Sequence, residues 1–105
     1  MPGQEIDIIT KRFIEELKPL QIYLFGSYAT GTETAGSDYD FYLVVSDDAG
    51  NIADLTADAY RAIHNDRSRS VDIIIGTKSR FESRKGRPSL ENEVVEKGIL
   101  LYSFR

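Results

Sequence analysis

The segment Asp38-Tyr39-Asp40-Phe41-Tyr42-Leu43-Val44-Val45 constrains the fold more than any other. Beyond Asp40 it is apolar on both faces, the pattern of a central strand covered from both sides. Side chains alternate across a strand, so Asp38 and Asp40 point to one side and Tyr39 and Phe41 to the other. Two carboxylates so placed repel each other unless one takes up a proton or a cation sits between them. A lone acid inside an apolar strand is also costly unless it is paired. A third carboxylate, Asp72, has a near-matching context in Val71-Asp72-Ile73-Ile74-Ile75-Gly76. If these two strands pair, Asp72 faces the same spot as Asp40.

The rest of the chain supplies partners for such a strand. Ile6, Ile9, Phe13 and Leu17 recur at helical spacing and predict an amphipathic helix over 4–18, ended by Pro19. QIYLF at 21–25 is a short apolar strand running into Gly26, and 46–51 is a turn or loop. A helix is expected over 52–65, with Ile52, Leu55, Ala59, Ala62 and Ile63 facing inward, and a strand over 70–75, closed by Gly76. The basic stretch 77–88 is expected to be part loop and part short helix. Ser89 caps a helix through 90–97 with Glu91 and Glu93 near its positive end. Gly98 ends that helix, and ILLYSF at 99–104 forms a last strand. This order predicts an α/β (α+β) domain over 1–105: a mixed sheet of about four strands with helices packed on one face.

Composition narrows the function classes. At 105 residues the chain is long enough for one small core, and a second, substrate-binding domain does not fit. Hydrophobic residues at 41% and charged residues at 29% are ordinary for a soluble globular protein. With no cysteine, disulfide frameworks and thiolate metal sites are excluded. No apolar run reaches membrane-spanning length, and MPGQEIDIIT lacks the layout of a signal peptide, so a cytoplasmic protein is expected. The net charge of −4 argues against a broad phosphate-tracking surface and so against nucleic acid as the main partner. It leaves room for a small site in which metal neutralises carboxylates.

Three convergent acids on a sheet suit two-metal phosphoryl chemistry, because hard oxygen ligands select Mg²⁺ or Mn²⁺. The third acid can also take a proton from an attacking hydroxyl. Gly26-Ser27 follows a strand, where a glycine lets backbone approach phosphate and N–H groups with a hydroxyl can cradle it. Tyr28, in the same loop, is a candidate to stack on a nucleobase. Other phosphate motifs fail: Gly26 and Gly31 have Walker-type separation, but Thr32-Glu33 stands where Lys-Ser/Thr is required, and no GxGxxG follows a strand. Each piece has a structural reading. Gly26-Ser27 alone is a turn, Asp38 after Gly36-Ser37 is a turn or cap residue, and His64 is a surface residue near a helix end. Taken together, in order and on strands, the set favours function.

Gly26-Ser27, ten residues, then Asp38-Tyr39-Asp40 resembles the GSx10DxD signature of minimal nucleotidyltransferases of the DNA polymerase beta superfamily. The resemblance extends over nearly the whole chain, to the closing EKGILLY at 96–102. It implies a polymerase beta-like fold and transfer of a nucleoside monophosphate, AMP from ATP, with pyrophosphate leaving. By that resemblance Gly26 and Ser27 hold the triphosphate and Asp38 and Asp40 ligate two Mg²⁺ ions. Asp72 ligates the catalytic metal and assists deprotonation of the acceptor hydroxyl.

Similar minimal proteins pair with a helical HEPN toxin and adenylylate one of its tyrosines. The acceptor is therefore expected on another molecule, with a homo-oligomer as a further arrangement. One departure stands out: Thr30 occupies a position where relatives often carry arginine, and Arg80, Arg84, Lys85 and Arg87 are the substitutes in view. That departure motivates an alternative, an antitoxin that neutralises its partner by contact alone. Adenylylation of a small molecule such as an aminoglycoside is a third reading, weakened by the short chain.

Overall fold

A computed structural model describes residues 2–104, with Pro2 described by its backbone only. The elements run α1 (Pro2–Leu17), β1 (Gln21–Phe25), α2 (Ser27–Thr30), β2 (Tyr39–Val45), α3 (Ile52–Ala62), β3 (Val71–Thr77), α4 (Lys78–Arg84), α5 (Leu90–Lys97) and β4 (Ile99–Ser103). The strands form one sheet in the order β3-β2-β1-β4. β2 lies antiparallel to β1 and parallel to β3, and β1 is antiparallel to β4, so the sheet is mixed as the sequence predicts. The parallel pair requires a crossover, which α3 provides.

Alternation along the strands builds two cores. Ile22, Leu24, Phe41, Leu43, Val45, Val71, Ile73 and Ile75 point to one face, where Ile6, Ile9 and Phe13 of α1 and Ala59 and the adjoining Ile63 of α3 meet them. Phe13 and Phe41 meet edge to face at 5.3 Å. Tyr42 and Val44 point to the opposite face, where Phe81 of α4 and Val94 of α5 cover them. The main helical layer therefore lies on one face, and the short α4 and α5 add a smaller layer on the other. β2, sandwiched between them, is fully buried apart from Asp40.

Local signals set the ends. α1 stops at Lys18, whose φ of 49° breaks the helix before Pro19. Asn51 caps α3 by accepting from the Asp54 N–H at 3.0 Å, and the Ser89 hydroxyl caps α5 through the Asn92 N–H at 3.0 Å. The helix expected over 52–65 ends at Ala62, so His64 lies in the turn beyond it. Gly76 does not close β3. It continues the strand, because a side chain there would strike the Tyr42 hydroxyl. Gly98 is more constrained still: a Cβ would overlap the Val94 carbonyl oxygen and lie 2.9 Å from that of Leu24. Neither backbone group can yield cheaply, so Gly98→Ala is expected to cost about 2 kcal/mol of stability by chemical denaturation. Among the described residues no helix is long and apolar enough to cross a membrane.

Candidate active site

The register of the sheet brings the predicted acids together. Asp40 of β2 pairs with Asp72 on parallel β3 and, on its other side, with Phe25 at the end of β1. Asp40 and Asp72 therefore stand side by side on the face opposite the main helical layer. Asp72 is exposed and Asp40 partly so. Burial, then the charge of Asp72 and a hydrogen bond with it, then the charge of Asp38, push the Asp40 carboxyl up from 3.8 to about 6. Asp38 precedes β2 and is half-buried. Among the described residues no set of three His, Cys, Asp or Glu side chains is gathered closely enough to hold an ion by itself. The assembled part is the Asp40–Asp72 pair. Its oxygen donors fit Mg²⁺, which is commonly held by one or two carboxylates with substrate phosphates completing the shell.

Gly26 joins this pair from β1. Its φ of 75° lies in the region that favours glycine, and a Cβ there would overlap Asp40 Oδ2 and come within 3.1 Å of its Cγ. The bare glycine thus leaves room for the carboxylate and brings backbone close to it. Ser27 opens α2, a single turn absent from the sequence reading. The Ala29 and Thr30 N–H groups donate to the Gly26 carbonyl at 3.1 and 3.2 Å, so those of Ser27 and Tyr28 precede the intrahelical bonds. Gly31 closes the turn with a left-handed φ of 78°. Thr30 carries no charge into this corner, and its hydroxyl pairs with that of Thr32 at 3.0 Å.

Tyr28 turns away from the acids. Its ring packs against the main core, edge to face with Tyr39 at 4.8 Å, on the opposite side of the sheet from Asp40 and Asp72. Arg69 holds it there, 5.4 Å from the Tyr28 ring and 5.3 Å from that of Tyr39, with Nη1 donating to the Ser37 carbonyl at 3.5 Å. Arg69 Nε is buried without a hydrogen-bond partner. Glu5 completes the cluster, accepting from the Tyr39 hydroxyl and the Ser68 hydroxyl at 2.8 Å each and from the Ser68 N–H. Burial raises the Glu5 carboxyl, but these bonds and the Arg69 charge outweigh it and hold it below its ordinary range. Burial, followed by the bond to Glu5, pushes the Tyr39 phenol up to about 12. No sequence signal marks this cluster, since Arg69 in Arg67-Ser68-Arg69-Ser70 looks like any loop charge. It ties the loop before Asp38 and the turn after Gly26 to one guanidinium.

The basic stretch is part helix and part loop, as expected, and two of its arginines meet a buried carboxylate. Glu91, 2% exposed, accepts from the Tyr42 hydroxyl at 2.8 Å and from Arg84 Nε at 2.9 Å, and Arg80 Nε lies 3.6 Å away. Burial opposes its ionisation, yet the bonds from Tyr42 and Arg84 and the Arg84 charge hold its pKa below the ordinary value. Lys85 pairs instead with Glu82 at 2.8 Å. Truncating Glu91 strands a buried hydroxyl and two guanidinium groups. Glu91→Ala is therefore expected to lower unfolding stability by about 3 kcal/mol, measured by urea denaturation.

Comparisons with known proteins agree with the fold. In a toxin–antitoxin complex solved with AMP-PNP, one chain matches at 29% identity and a TM-score of 0.61, over 96% of this chain and 74% of that one. A variant of the MntA–HpeT toxin–antitoxin pair carrying two Asp→Glu substitutions matches at 25% identity and a TM-score of 0.57, over 96% and 74%. The Shewanella oneidensis complex of a tri-AMPylated HEPN toxin with an MNT antitoxin matches at 24% identity and a TM-score of 0.55, over 99% and 74%, a likeness of fold. Comparison with curated proteins finds no significant match. The family model described as the nucleotidyltransferase domain matches residues 6–101. That span takes in the Gly26 turn, the Asp40–Asp72 pair, β1 to β3 and the start of β4, and the chain belongs to the nucleotidyltransferase domain family.

Proposed function

We propose that the protein is a Mg²⁺-dependent nucleotidyltransferase that moves AMP from ATP to a hydroxyl, the acceptor being a tyrosine of a HEPN toxin partner. The observation that carries this reading is the in-register pairing of Asp40 with Asp72, with Gly26 against Asp40. Asp38, Asp40 and Asp72 would hold the metal ions. When bound, Mg²⁺ supplies charge neutralisation for the triphosphate and lowers the pKa of the acceptor hydroxyl. Gly26 keeps the backbone close enough for the N–H groups at the start of α2 to meet phosphate, with the Ser27 hydroxyl beside them. Asp72, exposed at the sheet edge, is the carboxylate to which the acceptor proton would pass. The solved complex with AMP-PNP supports ATP as donor, and the tri-AMPylated HEPN toxin complex supports the acceptor class. Co-expression with the HEPN partner and intact-mass analysis test it. The partner is expected to gain one or more AMP groups, and an unmodified partner would oppose the reading.

Thr30 favours a second reading, in which the protein neutralises its partner by contact alone. The segment Tyr28-Ala29-Thr30-Gly31 itself carries no cation, where relatives often have arginine. If Asp38→Ala/Asp40→Ala protein still protects cells from the toxin, catalysis is dispensable and this second reading holds.

A further inference from the structure

On the face that carries Asp40 and Asp72, a cavity of about 390 Å³ opens further along the same strands. Its lining includes Tyr42, Ile74, Arg80, Arg84, Leu90 and Glu91. Tyr42 and Ile74 are the next residues on that face after Asp40 and Asp72, a step of about 7 Å. The volume lies in the range of small-molecule sites, about 300 to 1,000 Å³.

Its surfaces differ in chemistry. Ile74 and Leu90 are partly exposed apolar residues, 39% and 38% accessible. Glu91 is satisfied by Tyr42 and Arg84, so Arg80 at 3.6 Å is a surplus cation, 60% exposed, and two guanidiniums against one carboxylate leave the wall positive. The Nε bond to Glu91 orients the Arg84 guanidinium, and Arg80, held to Glu91 only as an ion pair, keeps its guanidinium at the surface. Apolar contact below and a guanidinium plane beside it is the arrangement that holds a nucleobase. With the triphosphate at Gly26 and Asp40, as in the proposed function, a ribose would span the step from there to the cavity.

We propose that this cavity is the nucleoside subsite, taking the base and ribose of the nucleoside triphosphate, with Ile74 and Leu90 under the base and Arg80 stacked on it. The inference rests on the nucleotidyltransferase reading. It puts base recognition on α4 and α5 rather than on Tyr28.

Calorimetric titration of the full chain with ATP and with inorganic tripolyphosphate, each with Mg²⁺, separates the two parts of the site. Ile74→Trp, which fills the cavity from an exposed edge-strand position, is expected to weaken ATP about tenfold or more and to change tripolyphosphate less than about twofold. Arg80→Ala, a substitution at an exposed helix position, is expected to act in the same direction more weakly. Photolabelling with 8-azido-ATP is expected to mark the peptide 74–91. Unchanged ATP affinity in both variants, equal losses for ATP and tripolyphosphate, or label confined to 26–34 would each overturn the assignment. Variants that bind ATP normally yet fail to modify the partner would give the cavity to the acceptor instead and overturn it too. Wild-type protein that binds neither ligand would remove the nucleotidyltransferase reading itself, and this inference with it.

Discussion

Asp40→Asn is expected to lose AMP transfer by roughly 10³-fold or more while making the folded protein more stable. The two effects have one cause. Asp40 sits beside Asp72 with Asp38 nearby, and its carboxyl is pushed up from 3.8 to about 6. A raised carboxyl binds a proton in the folded state that the unfolded state has already released. Stability from this group therefore falls as pH rises between about 4 and 6, and the full cost is present above that window. The gap in pKa corresponds to about 3 kcal/mol, which water screening at this partly exposed group reduces to about 1 kcal/mol. The neutral amide removes the cost, so urea denaturation at pH 7.5 without Mg²⁺ should show a gain of about 1 kcal/mol. A residue retained for packing would behave oppositely. The same titration predicts that Mg²⁺-dependent ATP binding strengthens as pH rises through about 6, since the ion requires the ionised carboxylate. Calorimetry across pH 5 to 8 checks this, and a flat profile would contradict the role of Asp40.

Gly26→Ala is expected to reduce transfer by roughly 10²-fold or more and to lower stability by about 1 to 2 kcal/mol. A Cβ at this position would overlap Asp40 Oδ2, and alanine disfavours the φ of 75°. The side chain that must move is the one that pairs with Asp72, so a small steric change reaches the chemistry directly. Gly31→Ala is the control. Its φ of 78° carries a similar backbone cost, but a Cβ there meets nothing within 4 Å. Stability should fall in both variants, at least as much in Gly26→Ala, and only Gly26→Ala should lose transfer to this degree. Equal activities in the two variants would separate Gly26 from the site.

The central part of this fold was legible because its signals are strong and local. The doubly apolar Phe41–Val45 run reads as a buried strand, and the acids of β2 and β3 sit on one face by alternation alone. Their pairing depended on register, which the sequence left conditional and the parallel β2–β3 ladder supplies. Cover on both faces of the sheet was less legible. Phe81 and Val94 are single apolar anchors in short, charged helices, and neither makes a periodic stripe. The turn at Ser27–Thr30 is too short for periodicity to reveal. The polar sequence context of Tyr28 suggests an exposed ring, whereas Arg69, Tyr39 and the core behind them draw it to the other face. The Glu91 network was hidden because its members come from β2, α4 and α5, and only the fold brings Tyr42 to Glu91.

The most direct test of the catalytic account is label transfer in the intact complex with the proposed HEPN partner, using ATP labelled at the α or the γ phosphate. The account predicts that, with Mg²⁺, the α label appears on a partner tyrosine, the γ label leaves as pyrophosphate, and Asp40→Asn protein transfers neither. Transfer of the γ label, or of no label from either position, would contradict it.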